Sequence, residues 1–161
     1  MQHVQTRSTT SALVLTAVLI ALATLFTMYT KIPVPGIRGY FNVGDVVIMT
    51  SALLLGRKYG AYIGAIGPAL ADLFLGYAVF VPITFVVKGI EGYLVGTVYS
   101  HKTTTSALVA TIVGGIVIVA GYFIAEYFVF DPGVAIASIL TNTIQAVMSV
   151  IISMILYAIL R

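Results

Sequence analysis

The sequence predicts an all-α integral membrane protein built as one bundle of six transmembrane helices, on three observations. Of its residues 60% are hydrophobic and only 8% charged, where soluble domains carry roughly 25% charged residues. The mean hydropathy is +1.11. Apolar runs recur at about 11–29, 43–55, 61–75, 82–99, 106–128 and 133–160, most of them near the ~20 residues that cross a hydrocarbon core as a helix. A single domain, 1–161, accounts for the length and leaves no room for a soluble catalytic domain. The absence of cysteine excludes disulfides and thiolate chemistry. The net charge of +3 sits at loop ends, where it orients a chain in a membrane instead of forming a nucleic-acid patch.

The first run follows Arg7 and contains Ala21-Leu-Ala23, which has the small-x-small look of a signal-peptidase site. It continues through Leu25, Phe26 and Met28, long enough to span, so a spanning helix is expected. Ala17 and Ala21 form a small-xxx-small pair that lets another helix approach closely. Two prolines and two glycines between Lys31 and Asn42 forbid a regular helix and predict an extended loop ending in aromatic residues. The second run covers only about 20 Å as a helix, against ~30 Å for the hydrocarbon core. It is expected to be short and buried or to re-enter on one side, with Asn42 or Asp45 suited to capping its start.

The third run opens with Gly60-xxx-Gly64 and Gly67, which favour close packing, and Pro68 within it predicts a kink. Asp72 lies near its far end. The turn at 76–82 carries no charge, and the fourth run starts at Pro82, where proline is tolerated. That run holds Lys88, Glu91 and Gly92-xxx-Gly96. A polar loop through His101 and Lys102 leads to the fifth run, with Glu126 close to its end. Asp131-Pro132 turns the chain into the sixth run, which carries Asn142 and Gln145.

With six spans and a cytoplasmic N-terminus, Arg7, Arg57, Lys58, Lys102 and Arg161 lie inside while Lys31 and Arg38 lie outside, a five-to-two split that fits the positive-inside rule. A five-span arrangement with a re-entrant second run leaves only Arg7 outside. Both arrangements place the 76–82 turn and the Asp131-Pro132 turn on the outer side.

Ionisable groups at membrane depth are costly and mark functional sites by default. Lys88 and Glu91 fall roughly 9 and 14 Å below the outer end of their helix and share a face at i,i+3 spacing. Asp72 and Glu126 approach the same end, with Glu126 expected to be solvated there, and Asn142 and Gln145 share one face at comparable depth. The polar groups therefore converge in the outer half of the bundle, which favours a pocket open to the outside over a conduction path. Tyr40, Tyr77, Phe80 and Tyr127, with Asn42 at the loop edge, are candidates for its aromatic and polar walls. Enzymatic signatures are missing: there is no Gly-x-Ser-x-Gly, no HExxH and no phosphate loop, and His3 and His101 lie in a tail and a loop. No metal or cofactor is implied. A self-sufficient proton-coupled transporter using Asp72 or Glu91 is the alternative reading.

The stretch Asn42-Val-Gly-Asp45 through Leu-Leu-Leu-Gly56-Arg-Lys-Tyr-Gly60, then Gly64, Asp72, Gly76 and Phe85-Val-Val-Lys88-Gly-Ile-Glu91-Gly92, resembles the S components of energy-coupling factor (ECF) vitamin transporters. It is most similar to the branch for pyridoxine, hydroxymethylpyrimidine or riboflavin-like compounds. The resemblance implies six helices with both termini cytoplasmic in a prokaryotic plasma membrane, and a vitamin pocket near the outer surface closed by outer loops. It also implies a separate transmembrane coupling subunit, docked at Ala17 and Ala21, and two ATPase subunits. By resemblance the Lys88 and Glu91 positions lie where ligand contacts are expected; with the converging residues read above, the candidate substrate-binding set is Asp72, Tyr77, Lys88, Glu91, Asn142, Gln145, Tyr40 and Asn42.

Overall fold

The computed structural model describes residues 9–33, 40–99 and 101–161. Arg7 and Arg38, both used in the charge count, lie outside the described residues. Six helices occur in the order α1 (Thr9–Tyr29), α2 (Asp45–Leu55), α3 (Arg57–Phe74), α4 (Phe80–Val98), α5 (Thr104–Val129) and α6 (Pro132–Leu160) among the described residues. The extended segment between α1 and α2 closes on itself as a two-stranded antiparallel pair, β1 (Ile32–Pro33) with β2 (Tyr40–Phe41).

Four helices, α1, α4, α5 and α6, are long and apolar enough to cross a membrane. α3 has the length, but Arg57, Lys58 and Asp72 reduce its apolar character. With 11 residues α2 is shorter than the ~30 Å hydrocarbon core, and it is buried, as one of the two expected alternatives has it. Asp45 through Leu53 are buried without a break. A helix apolar on every side has to be surrounded, and α2 is packed by α1, α3, α4 and α6.

The capping expectation for α2 is corrected. Gly44 is the N-cap and no side chain caps it. Asn42 Oδ1 instead accepts from the Gly44 N–H at 2.8 Å, closing a local turn before the helix. Asp45 enters the first turn, where the positive end of the helix dipole favours a carboxylate. The starts of α5 and α6 follow ordinary rules: Thr103 and Ser106 form a capping box on α5, and Asp131 Oδ1 accepts from Val134 N–H ahead of Pro132 on α6.

The glycines on α3 and α4 bring the two backbones together. A Cβ built on Gly92 would overlap the Gly60 carbonyl, and one on Gly64 would overlap the Lys88 carbonyl. Side chains larger than hydrogen at either position force the helices apart, so this contact sets where Lys88 enters the interior. Gly67 does the same for α1, where Ala23 packs against it and Thr24 Oγ1 donates to the Gly67 carbonyl at 2.9 Å. The helix continues through Pro68. α1 thus turns Thr16, Ala23, Thr24 and Thr27 inward and leaves Ala17 and Ala21 on its exposed face.

Candidate functional site

The polar residues gather where the N-terminus of α2 meets α4 and α6. Lys88 and Glu91 are 1% and 0% exposed, and Asp45 is fully buried beside them. Lys88 Nζ donates to Asp45 Oδ1 at 2.5 Å and lies 3.5 Å from Glu91 Oε2. Its ammonium also stands 5.3 Å from the centroid of the Tyr122 ring, within cation–π range. Gln145 Nε2 donates to the other Asp45 oxygen at 2.7 Å, while its Oε1 accepts from the Asn42 N–H at 3.1 Å. Asp45, Lys88, Gln145 and Asn42 therefore form one connected network across three parts of the chain. Glu91 is its loose end: neither carboxylate oxygen has a hydrogen-bond partner.

Lys88, Gln145 and Asn42 of this network form one wall of a cavity of about 50 Å³, with Asp45 and Glu91 behind them. Asp72 of α3, Thr84 and Lys88 of α4, Tyr122 and Glu126 of α5, and Asn142 and Gln145 of α6 line it, with Thr27 of α1. Glu126 is 3% exposed and accepts a short hydrogen bond from Ser138, and Asn142 Nδ2 reaches Ser138 Oγ at 3.5 Å. Tyr122 and Thr84 share a hydroxyl–hydroxyl bond of 3.0 Å. Phe80 closes one side and stacks on Phe130 at 5.4 Å between ring centroids.

Of the residues expected at a site, Asp72, Lys88, Asn142, Gln145 and Asn42 line the cavity, and Glu91 sits behind Lys88. Tyr77 stands apart, under Lys31 at 4.8 Å and against Phe80 in a dimple outside the cavity. Tyr127 is exposed and packs on Phe123 and Phe128. Tyr40 is described by its backbone, which pairs with Pro33; its side chain lies outside the described set. The expectation of a solvated Glu126 is overturned: α6 folds back over it and supplies Ser138. Asp72, expected at the rim, is 3% exposed. The sequence reading missed Asp45 as the partner of Lys88, and Tyr122 and Thr84 as lining. A lone acid at a helix start reads as a cap, and an apolar run hides one tyrosine face.

A small polar cavity enclosed in an otherwise apolar helix bundle fits a membrane substrate-binding or transport protein. The sequence profile described as ECF-type riboflavin transporter, S component, matches residues 7–161, and the chain belongs to this family of ECF S components. It is a transport protein and not an enzyme. Among curated relatives it is 42% identical over 131 residues to an uncharacterised protein of Pyrococcus woesei, covering 80% of this chain and 87% of that one. It is 31% identical over 143 residues to the thiamine precursor transporter HmpT of Lactococcus lactis subsp. cremoris, covering 88% and 80%. Its fold is that of the S component of a bacterial ECF transporter, with a TM-score of 0.76 at 21% identity over 94% of this chain and 95% of the other. The S component for biotin from an ECF-type ABC transporter also matches, with a TM-score of 0.65 at 20% identity over 92% of each chain.

Proposed function

We propose that this chain is the high-affinity substrate-binding subunit of an ECF-type importer for a small heterocyclic vitamin or vitamin precursor, of the vitamin B6, hydroxymethylpyrimidine or riboflavin-like kind. It captures the compound at the outer side of a prokaryotic plasma membrane, with both termini cytoplasmic. A separate coupling subunit and two ATPase subunits then drive delivery. The observation that carries this reading is the cavity itself: a cluster of polar side chains from α1, α3, α4, α5 and α6, buried inside a protein whose outer surface is apolar. Ionisable groups at membrane depth mark a functional site by default, and several polar groups converging on one apolar-walled cavity suit a small ligand.

At about 50 Å³ the cavity has room for roughly three to five waters. A vitamin needs more, so entry requires the outer covering around Phe80 to shift. Ala17 and Ala21 support the partner side of the reading, since both lie exposed on α1 among lipid-facing Leu13, Val14, Val18 and Leu25. Small residues on a lipid-facing stripe permit close helix approach.

The direct test is mass spectrometry of small molecules that co-purify with the full chain, followed by calorimetric titration of the compound found. A bound vitamin-type heterocycle is the expected result. Liposomes holding this chain alone are expected to show no uptake driven by a pH gradient; uptake there would favour the self-sufficient proton-coupled transporter. In a reconstituted importer, Ala17→Leu with Ala21→Leu is expected to abolish delivery while leaving ligand binding intact.

A further inference from the structure

We infer that Glu91 holds its proton in this structure and is the reserve counter-ion of Lys88, a positioning residue that keeps the cavity's one cation paired when α2 carries Asp45 away. Glu91 stands behind the cavity and does not line it, so this role is independent of which compound the cavity takes.

Three ionisable groups meet at one point. Lys88 Nζ is 2.5 Å from Asp45 Oδ1 and 3.5 Å from Glu91 Oε2, and one ammonium balances one carboxylate. The second acid, Glu91, is fully buried, and neither of its oxygens has a hydrogen-bond partner. Its stem lies against Gly114, where an added Cβ would also meet Met49 and Val95. An ionised carboxylate in such apolar surroundings is among the costliest groups a protein can bury, and a bound proton removes that cost. Asp45 is better served. It accepts from Lys88 and from Gln145, and it stands in the first turn of α2, where the helix dipole favours negative charge. The charge therefore rests on Asp45 and the proton on Glu91.

The two acids also differ in what they move with. Glu91 is on the same helix as Lys88 at i,i+3 spacing, so the two stay together however α4 moves as a body. The Gly60–Gly92 and Gly64–Lys88 backbone contacts fix α4 to α3. Asp45 belongs to the 11-residue α2, which joins α3 through Gly56 at φ +90°, a joint with nothing within 4 Å of where a Cβ would stand. Glycine holds that backbone angle at no steric cost. Were Glu91 apolar, withdrawal of Asp45 would strand a buried ammonium. With Glu91 present the exchange is internal. Lys88 Nζ gives the proton it shares with Asp45 Oδ1 to that oxygen and takes the Glu91 proton at Oε2. Lys88 remains an ammonium, Asp45 leaves as a neutral acid, Glu91 becomes the carboxylate, and no proton enters or leaves the interior.

The experiment is a double-mutant cycle on the full-length protein in detergent, read by melting temperature and by the infrared bands of protonated carboxyl groups. Glu91→Gln exchanges a neutral acid for a neutral amide of the same shape and is expected to melt within about 2 °C of the unaltered protein. Asp45→Asn is expected to melt well above Lys88→Ala, because Glu91 takes over Lys88. The two changes together strand the ammonium, and the combined variant is expected to fall at least about 4 °C below the sum of the single shifts, or not to fold at all. Glu91→Gln and Asp45→Asn are each expected to lose one protonated-carboxyl band that the unaltered protein shows, the second because Glu91 has given up its proton. A merely structural Glu91 would keep its band when Asp45 is changed. A large fall or a failure to fold in either single variant, additive shifts in the pair, or a band that persists in Asp45→Asn overturns the assignment, and each leaves the substrate-binding reading standing.

Discussion

The two walls of the cavity are built alike, from buried carboxylates on apolar helices, yet they differ in how far their valences are filled. On the α2–α4 side, Asp45 accepts from Lys88 through one oxygen and from Gln145 through the other, and Gln145 is tied in turn to the Asn42 backbone. On the α5–α6 side, Glu126 and Asn142 converge on one serine hydroxyl. The first wall spends its hydrogen bonds on joining segments that are distant in sequence, while those of the second stay within the α5–α6 pair. Burial of a charge therefore does not by itself identify a ligand contact; the state of its partners does.

The largest expected effect breaks the first wall. Lys88→Ala leaves Asp45 and Glu91 buried without their cation, which costs about 3–5 kcal/mol and should appear as a marked fall in melting temperature in detergent. The pair change Asp45→Asn with Lys88→Met should cost much less than the single changes summed, because no unpaired charge remains. A stable Lys88→Ala protein that has only lost its ligand would move Lys88 to the ligand-reading wall.

Next in size is Gly92→Val. Its added carbons meet the Gly60 backbone, which cannot turn away as a side chain would. A loss of about 1–3 kcal/mol or more is expected, with weakened binding as well, because the same contact places Lys88. Gln145→Ala should follow, at about 1–3 kcal/mol, by stripping a donor from Asp45 Oδ2 and an acceptor from the Asn42 N–H. The smallest effect is expected far from both walls. Tyr157→Phe removes the 2.8 Å bond to the Tyr99 hydroxyl, costs about 0.5–1.5 kcal/mol, and should leave ligand affinity unchanged in the same titration. An affinity change there would mean that the site extends well beyond the cavity.

How much was legible beforehand follows the same division. Gly60 and Gly64 announced close packing of the third run, and the partner is α4, which meets it at Gly92 and Gly96. The shortness of the second run announced a short helix held inside the bundle, and α2 is such a helix. The i,i+3 spacing of Lys88 and Glu91 was a sound local inference, since one helix fixes that distance. It named the weaker partner, because Asp45 comes from 43 residues earlier in the chain and no period connects the two. Glu126 was read as solvated because it lies near a helix end, where only the return of α6 decides between water and Ser138.

Composition and periodicity by themselves determined that this chain is a membrane bundle, where its helices run, which segments favour close packing, and that its charges converge. These properties depend on hydrophobic transfer and on residue size, which each segment carries with it. The tertiary structure alone decided which charges meet, which tyrosine faces the cavity, and which carboxylate pairs with a cation and which with a neutral hydroxyl. Those outcomes depend on the rotation and depth of each helix against its neighbours, and several helices must be in place before any one of them is defined.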